Sequence, residues 1–153
     1  MRTLILMRHG AAVESHDAPS DYARALTPQG RFDVQAQIHL LKMHAPEGII
    51  SSSALRTTET ASLIASALTQ TLTLTLKPKL YHAQASDYFE VLQTIPDNVH
   101  TILLIGHNPS ISDLASQLAK TKLNMAPADL GIFHTECDSA WYALSIRDFN
   151  QIV

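Results

Sequence analysis

The sequence predicts an α/β fold: a three-layer sandwich whose mostly parallel central sheet is flanked by helices. Two observations carry this. Short apolar runs alternate along the chain with stretches whose apolar residues recur at helical spacing, the pattern of parallel strands joined by crossover helices. The runs at 3–7 and 99–105 are also dominated by apolar residues rather than alternating with polar ones, as strands covered on both faces are. At 153 residues with 46% hydrophobic content, the chain is expected to form one domain, 1–153, with a core of its own.

The first strand, 3–7, ends in charge and glycine, and 10–26 is a polar loop containing Pro19. Loops of that length inside a compact domain tend to be functional. Thr27-Pro28 opens a helix running to about Met43, because threonine caps and proline at the first position has no N–H to waste. Phe32, Ala36, Ile38 and Leu41 are its expected apolar face. Pro46-Glu47-Gly48 ends it, and 48–51 forms a second buried strand. Ser53 is the expected N-cap of a helix over 54–68, with Leu55, Ala61, Ile64, Ala65 and Leu68 as its stripe. The Thr/Leu alternation over 71–76 predicts a strand with one wet face. A helix over 86–95, a strand over 99–105, a turn at 106–109 and a helix over 110–119 come next. Residues 131–137 and 140–147 are expected to close the fold as a hairpin around Asp138-Ser139.

Composition narrows the function. Lys+Arg 11 against Asp+Glu 14 gives a net charge of −3, without the basic excess of a nucleic-acid binder. Cys137 is the single cysteine, so neither an internal disulfide nor a CxxC metal framework is expected. The apolar run at the start is too short for a signal segment, and no stretch approaches a membrane span; the expected location is cytoplasmic.

In parallel sheets, ligands bind beyond the carboxyl ends of the strands. Three such ends carry unusual polar residues: Arg8-His9-Gly10, 51–56 with Arg56, and Gly106-His107. Arg56 falls in the first turn of its helix, where a cation is disfavoured unless an anion binds nearby. His107 precedes an Asn-Pro helix start, where free N–H groups can receive a phosphate. Two arginines, two histidines and two helix starts thus assemble a site for a dianionic phosphoryl group. One neutral imidazole can attack phosphorus to give a phosphohistidine that water then hydrolyses. The other, if protonated, adds positive charge to the transferring group.

Leu6-Met7-Arg8-His9-Gly10, the 51–61 segment and Gly106-His107-Asn108-Pro109 resemble the histidine phosphatase superfamily, which has the phosphoglycerate mutase-like fold. The short chain and Arg24-Ala25-Leu26-Thr27-Pro28-Gln29-Gly30 are similar to its SixA-type phosphohistidine phosphatases. The resemblance implies that His9 is the transiently phosphorylated nucleophile and that Arg8 and Arg56 grip the phosphate. It implies that His107 contacts the transferred group and that Arg24 lies at the mouth of the pocket, within reach of phosphate or substrate. The acidic residue that such sequences often carry after Arg-His-Gly is replaced by Ala11 and Ala12, with Glu14 coming late.

Mutase and phosphomonoesterase branches place a general acid after the third strand. The comparable stretch here, 81–90, shows no clear equivalent. Asp87 reads as a helix-start charge and Glu90 as a solvated face residue, while His82 stands open between surface residue and substrate contact. An imidazole leaving group, whose conjugate acid has a pKa near 6.5, leaves more easily than an alkoxide. A site without a dedicated acid therefore suits P–N cleavage. His16, His39 and His44 are expected at the surface, His100 and His134 in structural roles, and no ligand spacing indicates a metal.

These readings converge on a cofactor-independent phosphatase for phosphohistidine carried by a histidine phosphotransfer domain. The alternatives are a small-molecule phosphomonoesterase of the same superfamily and a non-catalytic phosphoprotein-binding module. No metal, nucleic acid or membrane is implied.

Overall fold

The computed structural model describes residues 1–68 and 71–153. Among the described residues, six strands form one sheet: β1 (Thr3–Arg8), β2 (Gly48–Ser51), β3 (Thr73–Leu76), β4 (Thr101–Gly106), β5 (Leu130–Thr135) and β6 (Phe149–Gln151). Their order is β3-β2-β4-β1-β5-β6. The first four run parallel, whereas β5 is antiparallel to β1 and β6 is antiparallel to β5. Among the described residues, five α-helices flank them: α1 (Pro28–Ala36), α2 (Ile38–His44), α3 (Leu55–Ala67), α4 (Ala85–Leu92) and α5 (Ser110–Ala119).

Strand alternation sorts the core into two layers. Leu4, Leu6, Ile102 and Leu104 face α4 and α5, packing on Tyr88, Val91, Leu114 and Leu118. Ile5, Met7, Leu103 and Ile105 face the opposite way, against Val34, Leu41, Ala61 and Ile64 from α1, α2 and α3. This is the expected three-layer sandwich, and the near-continuous apolar strands are the consequence of two covered faces. Among the described residues, no helix is long and apolar enough to cross a membrane.

Several local expectations need correction. The helix expected over 28–43 is two helices broken at Gln37, whose N–H is shared between the Val34 and Gln35 carbonyls. Val34 and Leu41 still share the core face, while Phe32 is 65% exposed. Ser53 does not cap α3: Ala54 holds that position without a side-chain bond, and the Ser53 hydroxyl is buried without a partner. Residues 73–76 form an edge strand, leaving Leu74 and Leu76 exposed where a dry face was expected. The closing hairpin exists, but its second strand is Phe149–Gln151; residues 141–143 and 146–148 form single 3₁₀ turns. Trp141 anchors that segment by donating Nε1–H to the Val99 carbonyl at 2.7 Å, a tertiary contact that local patterning does not encode.

Register positions the site. Arg8 pairs with Gly106 and Ser51 with Ile105, so the carboxyl ends of β1, β2 and β4 finish level with one another. The turns leaving these three strands must therefore meet at one edge of the sheet.

Candidate active site

Immediately beyond β1, the chain must turn under α1. A Cβ at Gly30 would lie 2.1 Å from the Ala11 carbonyl oxygen, so only glycine allows the first turn of α1 to seat against this loop. Thr27 caps that turn by accepting from the Gly30 N–H at 3.0 Å. Thr60 of α3 accepts from the Gly10 N–H at 3.1 Å and donates to the Arg56 carbonyl at 2.7 Å, tying the two segments together.

The structure brings together Arg8, His9, Arg56 and His107. The rings of His9 and His107 lie 5.3 Å apart, and both residues, with Arg56, are only 7% exposed. His9 Nδ1 lies 2.7 Å from the Gly10 carbonyl oxygen, and because a carbonyl only accepts, the proton sits on Nδ1. That leaves the Nε2 lone pair available, and Arg56 Nε donates to it at 3.3 Å. Burial, followed by the charges of Arg56, Arg8 and Arg24, holds the His9 pKa down at about 4 despite the Gly10 bond. Burial and then neighbouring His9 and Arg56 take that of His107 to about 3. Both imidazoles are therefore neutral at neutral pH, so protonation of His107 requires an anion beside it.

His107 is fixed on two sides. Its Nε2 lies 2.8 Å from the Ser52 hydroxyl, and its backbone N–H donates to Tyr88 Oη at 3.1 Å. Gly106 makes the second contact possible, since a Cβ there would sit 2.4 Å from that same hydroxyl oxygen. Arg8 donates Nη1–H to the Met125 carbonyl at 3.0 Å. Arg8 Nε and His107 Nδ1 are buried without partners, and both atoms belong to the groups gathered at this edge of the sheet.

Arg24 stands at the rim rather than among the four. Its Nε donates to the Val13 carbonyl at 2.6 Å and its Nη1 to Asp21 Oδ1 at 3.2 Å. Sequence reasoning misses Asp21, because it looks to 11–14 and 87–90 for an acid. The Asp21 carboxylate also accepts from Arg56 Nη2 at 3.3 Å and from the Tyr81 hydroxyl at 2.6 Å. The Tyr81 bond, with the arginines in support, holds Asp21 far below the usual carboxylate range. The one available signal is Asp21 standing three residues before Arg24, a spacing that pairs opposite charges across a turn.

Asp87 and Glu90 are engaged elsewhere. Asp87 accepts from the Gln84 N–H at 2.7 Å to cap α4, and exposed Glu90 pairs with Lys79 at 3.0 Å. His82 is exposed and lies tilted against Tyr81 with ring centroids 3.9 Å apart, beside a cleft of about 240 Å³ between 81–83 and 107–110. Among the described residues, no group of three His, Cys, Asp or Glu side chains is placed to hold a metal ion.

The model of the histidine phosphatase superfamily (branch 1) matches residues 4–94, which span β1, the Arg56 segment and α4. The chain belongs to the histidine phosphatase superfamily. Solved structures agree on the fold of this histidine phosphatase. A protein from Nakamurella multipartitia, provisionally named phosphohistidine phosphatase SixA, is 24% identical over 99% of this chain and 94% of its own, with a TM-score of 0.86. A protein histidine phosphatase SixA complexed with tungstate is 24% identical over 87% and 88% of the two chains, at 0.77. A mycobacterial glucosyl-3-phosphoglycerate phosphatase is 15% identical over 99% and 96%, at 0.64. No curated protein matches the chain.

Proposed function

We propose that this histidine phosphatase hydrolyses phosphohistidine on a phosphorelay or phosphotransfer protein, through a transient phosphohistidine of its own at His9. The observation that carries the reading is the orientation of His9: proton on Nδ1 toward Gly10, lone pair on Nε2 beside Arg56. In the first step, Nε2 attacks phosphorus and a new P–N bond forms. The P–N bond of the substrate, whose imidazole is already protonated from solvent on its other ring nitrogen, breaks, and that imidazole leaves neutral. In the second step, water attacks the phosphorus on His9, the P–N bond to His9 breaks, and inorganic phosphate leaves. Arg8 and Arg56 supply the positive charge for the phosphoryl oxygens, and Arg24 adds charge from the rim. His107 takes up a proton when the dianion arrives, because a negative charge beside it offsets its burial.

Preference for P–N over ester cleavage is supported by what the nearby carboxylates do. Asp87 and Glu90 are occupied away from the two imidazoles, and Asp21 is held ionised by Tyr81 and so is no proton donor. An imidazole leaving group tolerates this, whereas an alkoxide needs an acid. The small-molecule phosphatases among the similar folds define the competing reading.

The test is a substrate panel of phosphohistidine-bearing phosphotransfer domain, sugar phosphates, nucleotides and phosphoglycerates, with the label from a labelled phosphodonor trapped by denaturation in alkali and then challenged with acid. The expected result is fastest turnover on the phosphoprotein, an acid-labile label that His9→Ala abolishes, and turnover retained in Asp87→Ala and Glu90→Ala. A sugar phosphate turned over faster than the phosphoprotein would transfer the assignment to the small-molecule reading. Phosphate affinity without any label would make the chain a binding module.

A further inference from the structure

A carboxylate at the rim of a site built for a dianion needs an explanation. Like charges brought together are costly, and Asp21 presents its own charge to the same Arg56 guanidinium that the phosphoryl group would use. The simplest explanation, that Asp21 holds the 10–26 loop in place, is weakened by the backbone. The Asp21 carbonyl accepts from Arg56 Nη1 at 2.8 Å, and the Tyr22 carbonyl accepts from the Leu55 N–H at 3.0 Å. The Arg24 N–H donates to the Asp21 carbonyl at 3.2 Å. The Tyr22–Leu55 main-chain bond and the Arg56 bond to the Asp21 carbonyl thus clip the loop to the start of α3 without help from the carboxylate.

Its electrostatic effect is opposite to that of the arginines. Arg8, Arg24 and Arg56 all act on His9, while Asp21 lies against two of them, at 3.2 Å from Arg24 and 3.3 Å from Arg56. With the imidazoles neutral, the Asp21 carboxylate offsets part of the positive charge that Arg24 and Arg56 would otherwise present to a phosphoryl dianion. Without the carboxylate, Arg24 and Arg56 would face the product uncompensated and hold it more tightly. Tyr81 moderates the competition: its hydroxyl donates to Oδ2, the same oxygen that faces Arg56.

We propose that Asp21 is the affinity-setting residue of this site, a built-in anion that shares Arg56 with the bound phosphoryl group and keeps product phosphate weakly held. The inference rests on the proposed function, in which the phosphoryl group binds between Arg8 and Arg56. It assigns Asp21 neither acid nor base chemistry; the carboxylate acts through Arg56.

The test is calorimetric titration of the full chain with inorganic phosphate at neutral pH, at low and high ionic strength, with thermal melts of each variant. Asp21→Asn keeps the shape and the backbone clips but removes the charge, and should tighten phosphate binding by about tenfold or more. That advantage should shrink at high salt, as a charge effect does. Tyr81→Phe removes the hydroxyl that draws on Oδ2 and should move affinity the other way, weakening it. A residue that merely braces the loop predicts equal or weaker binding in Asp21→Asn, and that result overturns the proposal, as does tightening in Tyr81→Phe. If wild type binds no phosphate, or binds it as well after Arg56→Ala, the proposed placement of the phosphoryl group itself fails instead.

Discussion

Lowering the pH from about 6.5 to about 5 should destabilise this protein by up to about 2 kcal/mol for each of its two site histidines. The magnitude comes from burial. An imidazole in the unfolded chain titrates near 6.5, whereas in the folded protein His9 stays neutral down to about 4 and His107 down to about 3. Below 6.5 the unfolded state therefore binds protons that the folded state refuses. Each pH unit then costs up to about 1.4 kcal/mol per histidine until the folded pKa is reached. His134, also lowered by burial, acts in the same direction. Asp21 stays outside this window: its lowered pKa contributes stability above its unfolded value of 3.8, lost only as pH falls below that. Urea denaturation across the range measures the slope. The double variant His9→Gln/His107→Gln should lose most of it, and saturating phosphate should flatten it by giving the charged imidazole a partner. A wild-type stability that is level from pH 7 to pH 5, or a slope untouched in the double variant, would refute the argument that these imidazoles are buried neutral.

His9→Ala should reduce turnover by about 10⁴-fold or more while retaining anion binding, as single-turnover assays and calorimetry would show. Arg56→Ala should weaken both, with phosphate affinity falling roughly 10- to 100-fold for a charge-assisted hydrogen bond; equal binding by calorimetry would remove Arg56 from the site. Gly106→Ala drives a methyl group into Tyr88, whose hydroxyl is 2.4 Å from that position, and should cost about 1–3 kcal/mol as overpacking does. Because Tyr88 also holds the His107 N–H, turnover should fall with it; an unchanged urea midpoint would show that Tyr88 can move aside.

Much of the architecture was legible because it is local. Thr27-Pro28 announces a helix start through its own hydroxyl and ring, and Thr27 caps α1 as its type suggests. The α5 bounds, Ser110–Ala119, could be read from the Asn-Pro turn before them. The failures are equally physical. Phe32 suited a helical stripe in spacing, but Val34 and Leu41 meet the sheet and Phe32 faces solvent. Ser53 was the right residue type one place too early, and the last strand was misplaced because Trp141 is buried on a 3₁₀ turn rather than on a strand. Pattern reports which residues prefer burial, not which neighbour arrives to bury them.

The site divides along the same line. The sequence by itself determined the types of group available at three strand ends, Arg8-His9, Arg56 and His107, because short apolar strands with polar residues at their carboxyl ends are a local signal. Only the tertiary structure decided that Ser52 and Tyr88 fix His107, that Gly10 sets the tautomer of His9, and that Asp21, rather than Asp87 or Glu90, pairs with Arg24 and Arg56. The reason is range. Asp21 meets Arg56 across 35 positions and Tyr81 across 60, and a side chain's charge acquires its meaning from partners that the chain brings near only by folding.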